Sequence, residues 1–97
     1  MQDTGIKLKF RGENLLLFKG RYAEPPNTAL QLLCETGEPF MTASVNIDEV
    51  GPGQVAIKNY SENEGVMEAL IEAGVISQPL FWEQSGFVRI PVCALKI

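Results

Sequence analysis

Asn59 to Ile76 reads "NYSENEGVMEALIEAGVI", and it is the one stretch whose apolar residues fall at helical spacing. Val66, Met67, Leu70 and Ile71 make the stripe, and Gly74 is a natural C-terminal stop. Ser61 with Glu64 three residues later fits a capping box, in which hydroxyl and carboxylate satisfy free backbone donors. Glu62 and Glu64 sit where the helix dipole favours negative charge. The pattern predicts a short helix of about three turns, which packing has to hold more than propensity does. Gly65 in its first turn costs about 1 kcal/mol against alanine, and a close approach of another backbone would explain it.

Outward from this helix, everything else reads as strand or turn. "IKLKF" (residues 6–10) alternates apolar and basic residues, "RGEN" turns, and "LLLFKGRY" returns beside it as a hairpin. "AEPPNT" is an exposed loop, because two prolines remove donors from any ladder. "ALQLLCE" and "FMTASVNI" form a second hairpin about "TGEP", with Met41, Ala43, Val45 and Ile47 as the core face of the fourth strand. "QVAIK" is a short fifth strand. After the helix, "VISQPLFWEQSGF" is mixed and broken by Pro79, and "FVRIPVCALKI" is strand-like, with Pro91 suited to an edge, a bulge or a strand boundary. The expectation is an α+β domain spanning 1–97. It is an antiparallel, strongly curved sheet or partly open barrel of about six strands with one short helix.

Composition narrows the class. Of the 97 residues, 45% are hydrophobic and 21% charged, ordinary values for one globular domain. The densest apolar run, "LLLF", is far below the roughly 20 residues a membrane span needs. No basic region followed by an apolar stretch opens the chain, so no signal peptide is read and a cytoplasmic location is expected. Cys34 and Cys93 stand far apart in apolar surroundings and read as buried free thiols.

No histidine is present, which removes the commonest general base and metal ligand together. "GPG" at 51–53 lacks the lysine and following helix of a phosphate loop. "NIDEVGPGQ" and "NYSENEG" lack the spaced acidic pattern of a Ca²⁺ loop and read as turn and cap residues. The chain is therefore expected to be no enzyme and to hold no metal or cofactor.

Charge carries the functional reading. Residues 7–21 hold Lys7, Lys9, Arg11, Lys19 and Arg21 against Glu13, a local balance of +4, whereas residues 24–83 hold ten acids against Lys58, a balance of −9. Glu64, Glu68 and Glu72 recur every fourth residue, about 6 Å apart along a helix. Like charges at that spacing weaken a helix slightly, and no Lys or Arg lies between 59 and 88 to relieve them. A plain solvated face is one reading. A functional acidic surface is the other, repelling phosphates and attracting a basic protein. Phe81 and Trp82 are adjacent and would face opposite ways in a strand, so one can join the core while the other anchors a partner.

"GEPFMTASVNI", "AIKNYSENEGVMEALIEAGVI" and "SGFVRIPVCAL" resemble a family of small proteins of unknown function from bacterial mobile elements and phages. The resemblance spans about residues 15–95 and is densest from Lys58 to Gly74, with "SENEG" its most specific piece. It implies no catalytic residue. It implies a context in which small acidic proteins inhibit host defence, some by occupying the DNA channel of a CRISPR–Cas effector or a restriction enzyme. The expected function is then an anti-CRISPR-like inhibitor that binds a protein with a basic surface, not nucleic acid or membrane, through Glu62, Glu64, Glu68, Glu72 and Trp82. The alternative is a structural or oligomerising accessory protein in which an exposed strand edge pairs two copies as a homodimer.

Overall fold

The computed structural model describes residues 1–97. The alternating N-terminal segment becomes β1 (Gln2–Phe10) and β2 (Glu13–Arg21), an antiparallel hairpin that buries Leu8, Phe10, Leu15 and Leu17 and turns Lys7 and Lys9 to solvent. β3 (Thr28–Cys34) pairs with β2 along its whole length, and β4 (Pro39–Thr42) returns along β3, giving the order β1-β2-β3-β4. A second antiparallel sheet holds β5 (Gln54–Ala56), β6 (Ile76–Ser85) and β7 (Val88–Leu95) in the order β5-β7-β6. One α-helix, α1 (Val66–Glu72), lies between β5 and β6 in the chain.

The chain is thus α+β, but its seven strands are divided between two sheets instead of forming one curved sheet of about six, and no barrel closes. The segment after β4 explains the division. Ala43 donates its N–H to the Leu30 carbonyl of the first sheet at 2.8 Å, while Val45 donates to Ala56 of the second at 3.0 Å. The expected alternation of the fourth strand fails here, because Ala43 and Ser44 are both buried. Ser44 can be buried because its Oγ accepts the Leu30 N–H at 2.9 Å and bonds the Tyr22 hydroxyl at 2.8 Å.

The main core lies between the two sheets and beneath α1. Leu15, Leu17, Leu30 and Leu32 of the first sheet meet Val55, Ile57, Cys93 and the helix residues Val66, Met67 and Leu70. A smaller cluster of Ala56, Ile90 and Val92 covers the other face of the second sheet, packed by Val45, Ile47, Tyr60 and Phe81. β7 is therefore a central strand buried on both faces, contrary to what Pro91 suggests. The proline fits because it stands at the last rung beside β5. Its carbonyl accepts the Ile57 N–H at 3.0 Å, and only the return bond is missing. No helix is long and apolar enough to cross a membrane.

Candidate protein-binding surfaces

Asn59 starts α1, not Ser61. Its Oδ1 accepts the N–H groups of Gly65 and Met67, each at 3.0 Å. Ser61 has φ 56° and opens a single 3-10 turn, Ser61–Asn63, and no side chain caps either helical segment in the expected box. The buried Asn63 pins that turn by donating Nδ2 to the Thr42 carbonyl at 2.8 Å. Gly65 then reverses the chain at φ 96°, where its absent Cβ would stand 3.5 Å from the Phe10 ring, an ordinary contact. A left-handed backbone, more than a close neighbour, is what asks for glycine there. The C-terminal end follows expectation: Gly74 N–H bonds Ile71 O at 3.0 Å and Val75 N–H bonds Leu70 O at 3.0 Å, a Schellman closure.

The helix is consequently seven residues long, and the acidic row is reshaped. Glu68 and Glu72 stand one turn apart on it, whereas Glu62 and Glu64 precede it. All four are exposed. Glu62 is engaged: its Oε1 accepts from Lys58 Nζ at 2.7 Å, the only ion pair in the molecule. That hydrogen bond, helped by Glu62's own backbone amide and the lysine charge, holds the carboxyl below its ordinary range and raises Lys58 above its own. Glu64, Glu68 and Glu72 have no ion-pair partner.

Their surroundings are of mixed sign. β1 lies against α1, and Lys7 and Lys9 share a shallow hollow with Leu8, Ala69, Glu72 and Ala73. Arg11 stacks on the Phe10 ring at 4.9 Å and donates Nη2 to the Glu64 backbone carbonyl at 3.1 Å. The basic hairpin thus borders the acidic residues and offsets part of their field, without pairing with the three carboxylates.

Trp82 belongs to a different surface. Phe81 turns inward to the smaller cluster, and Trp82 is 43% exposed on the opposite face. Arg89 lies over its ring, 5.1 Å from the centroid. Leu80 and Phe87 join this surface and were not expected from the sequence. Leu80 is 54% exposed, and Phe87, at 106%, has no cover at all. Phe87 stands at the tip of the β6–β7 hairpin, where Ser85 pairs with Val88 and Gly86 has φ 59°. A positive φ at the first central residue only is the type II′ turn. "QSG" signals this turn in the sequence, and Pro79 argues only against the long β6 that leads into it.

The buried Cys93 is not set up for nucleophilic work. Desolvation pushes the buried Cys93 thiol up to about 11, so it stays protonated near neutrality. No three of Cys, Asp and Glu gather where they could hold a metal ion. Compared with family models, curated proteins and solved structures, the chain finds no match. The phage-family resemblance therefore rests on the quoted residues alone.

Proposed function

We propose that this chain is a non-catalytic binding module that docks on a basic protein surface through Glu64, Glu68 and Glu72, in the manner of an inhibitor of a host defence nuclease. The observation that carries the reading is the pair Glu68 and Glu72. They are exposed, one turn apart and unpaired, on a helix whose opposite side is sealed by Val66, Met67 and Leu70. A short helix so anchored presents its carboxylates with little freedom to lose on binding, which favours affinity. At about 6 Å apart along the axis they set two negative charges on one exposed face, the charge sign that a nucleic-acid backbone offers to Lys and Arg. Glu62 drops out of the docking set, because its carboxylate is already held by Lys58. Trp82 drops out as well, because it lies on the separate hairpin surface.

Docking of this kind steers association and is screened by salt. The test is capture of a CRISPR–Cas effector or restriction enzyme in its DNA-free form, with and without competing DNA. Glu64, Glu68 and Glu72 reversed together to Lys should abolish capture and leave the thermal midpoint nearly unchanged. Capture by the triple variant at wild-type strength removes the reading. So does capture that is insensitive to salt and to DNA.

A further inference from the structure

β6 ends its sheet, and its outer edge has no neighbouring strand. The direction of its free groups follows from Pro91. The Pro91 carbonyl accepts from Ile57, so its polar atoms face β5. Trp82 is paired with Pro91 across β6 and β7, which makes that rung a non-hydrogen-bonded one. The N–H and C=O of Trp82 therefore turn away from β7 to the open edge, and those of Gln84 do the same two residues on. Natural edges are blunted by lysines, prolines or bulges. Here the only proline and both register shifts, between Ile76 and Phe81, precede these rungs, and β6 has no lysine. The same stretch carries the exposed Leu80 and Trp82 and leads to Phe87.

We propose that this edge takes a second copy of the chain, β6 pairing antiparallel with β6 about a two-fold axis at Trp82, to form one continuous six-stranded sheet. Unpaired backbone donors and acceptors in a row are matched only by another extended strand. Local charge selects the occupant: around these rungs Glu83 and Arg89 balance, so two copies meet there without the repulsion that a net charge of −4 otherwise imposes. A basic or acidic peptide would find no complementary field.

Glu83 also selects the register. An axis at residue 83 would set two carboxylates directly opposite each other, which destabilises a sheet. An axis at Trp82 sets the two indoles across from each other, moves Glu83 opposite Phe81 of the second copy, and carries each hairpin tip, with Phe87, toward the irregular first half of the other copy's β6. Trp82 and Phe87 together offer roughly 300 Å² of aromatic surface per copy. With Leu80 and the edge backbone from both copies, the buried total comes to the order of 1,000 Å², the lower bound for a specific interface.

Sedimentation equilibrium of the whole chain tests this. The wild type should approach twice its 10.7 kDa mass as concentration rises. Trp82→Lys should return the mass to that of one chain. Gln84→Pro should do so too, by removing an N–H that faces solvent in the monomer. Both should keep the wild-type far-ultraviolet circular dichroism, and if one fails to fold the other decides. Glu68→Lys, on the distant helix, should leave the dimer intact. A single-chain mass for the wild type at the highest attainable concentration overturns the proposal, as does a dimer that survives both edge substitutions.

Discussion

Leu70 and Leu80 are the same side chain in opposite situations. Leu70 is wholly buried on the inner side of α1, and Leu80 is 54% exposed on β6. The strand that begins just beyond the helix, at Ile76, runs ten residues, or roughly 30 Å. The molecule's longest dimension is 34 Å. The acidic helix and the aromatic hairpin tip are therefore nearly a molecular length apart, and they are built on different terms. At the helix end both sheets and α1 close over one core, so charge is displayed on a firm base. At the tip the β6–β7 hairpin leaves Phe87 uncovered, and the face that buries Cys93 at one end leaves Trp82 open at the other. Surface character here is divided: unpaired carboxylates at one end, exposed apolar side chains at the other.

The sharpest way to break this comparison is to treat both leucines alike. Leu70→Ala should cost about 2–5 kcal/mol, the range for emptying a sealed core site. Leu80→Ala should fall within about 0.5 kcal/mol of the wild type at dilutions where single chains dominate, as a surface change does. Urea unfolding of the two variants checks both. Comparable losses would mean that the hairpin is packed in solution, by a second copy or otherwise, and running the Leu80 variant at several concentrations would show which. Next in size is Ser44→Ala, at about 1–3 kcal/mol, because the buried Leu30 amide and the Tyr22 hydroxyl lose their shared partner. This variant attacks the step of the chain between the sheets, so amide exchange should quicken at Leu30 and Val45 before it does at the hairpin tip.

Asn59→Ala should cost about 1 kcal/mol, the usual value of a helix cap. Ser61→Ala should cost almost nothing, since no side-chain cap bond from it exists. The reverse ranking, read from thermal midpoints, would restore the capping box that "SENE" suggests. That contrast also shows how far the sequence could be read. The first two strands were legible because period-two alternation is a local property of a sheet with one wet face. Leu8, Phe10, Leu15 and Leu17 obey it. The helix stop at Gly74 was legible for a similar reason, since the Schellman closure is made within a few residues.

What failed was set by distant partners. Ser61 could not cap once Asn63 was tied to Thr42 and the chain had turned through a positive φ. Ser44 was placed on the wet side because nothing near it in sequence announces Tyr22 and Leu30. Pro79 and Pro91 argued against β6 and against a central β7, yet each stands at a rung where the ladder tolerates the loss. The acidic residues themselves were legible, but which of them stay unpaired depended on how the irregular chain from Lys58 to Tyr60 brings Lys58 back to Glu62. It depended also on how β1 folds alongside α1.

That ion pair supports the smallest and most specific prediction. Glu62 titrates lower in the folded chain than in the unfolded one, because Lys58 donates a hydrogen bond to it. As pH falls, the unfolded state takes up the proton first. The contribution to stability is therefore complete above the ordinary glutamate range and is lost as pH drops through the folded value. Lys58 is shifted upward, so its share is complete below the ordinary lysine range and is lost as pH rises through the folded value. Between these limits the wild type and Glu62→Gln should differ by a constant, small offset in thermal midpoint. The two curves should converge at the acid end and again at the alkaline end. Added salt should shrink the offset, because the pair lies at the surface. Glu68→Gln removes a carboxylate with no partner and controls for net charge alone. If its curve and that of Glu62→Gln coincide at every pH, the Lys58–Glu62 bond does not persist in solution. Glu62 would then rejoin the free carboxylates at the helix end, and the acidic surface would be larger by one charge than the structure allows.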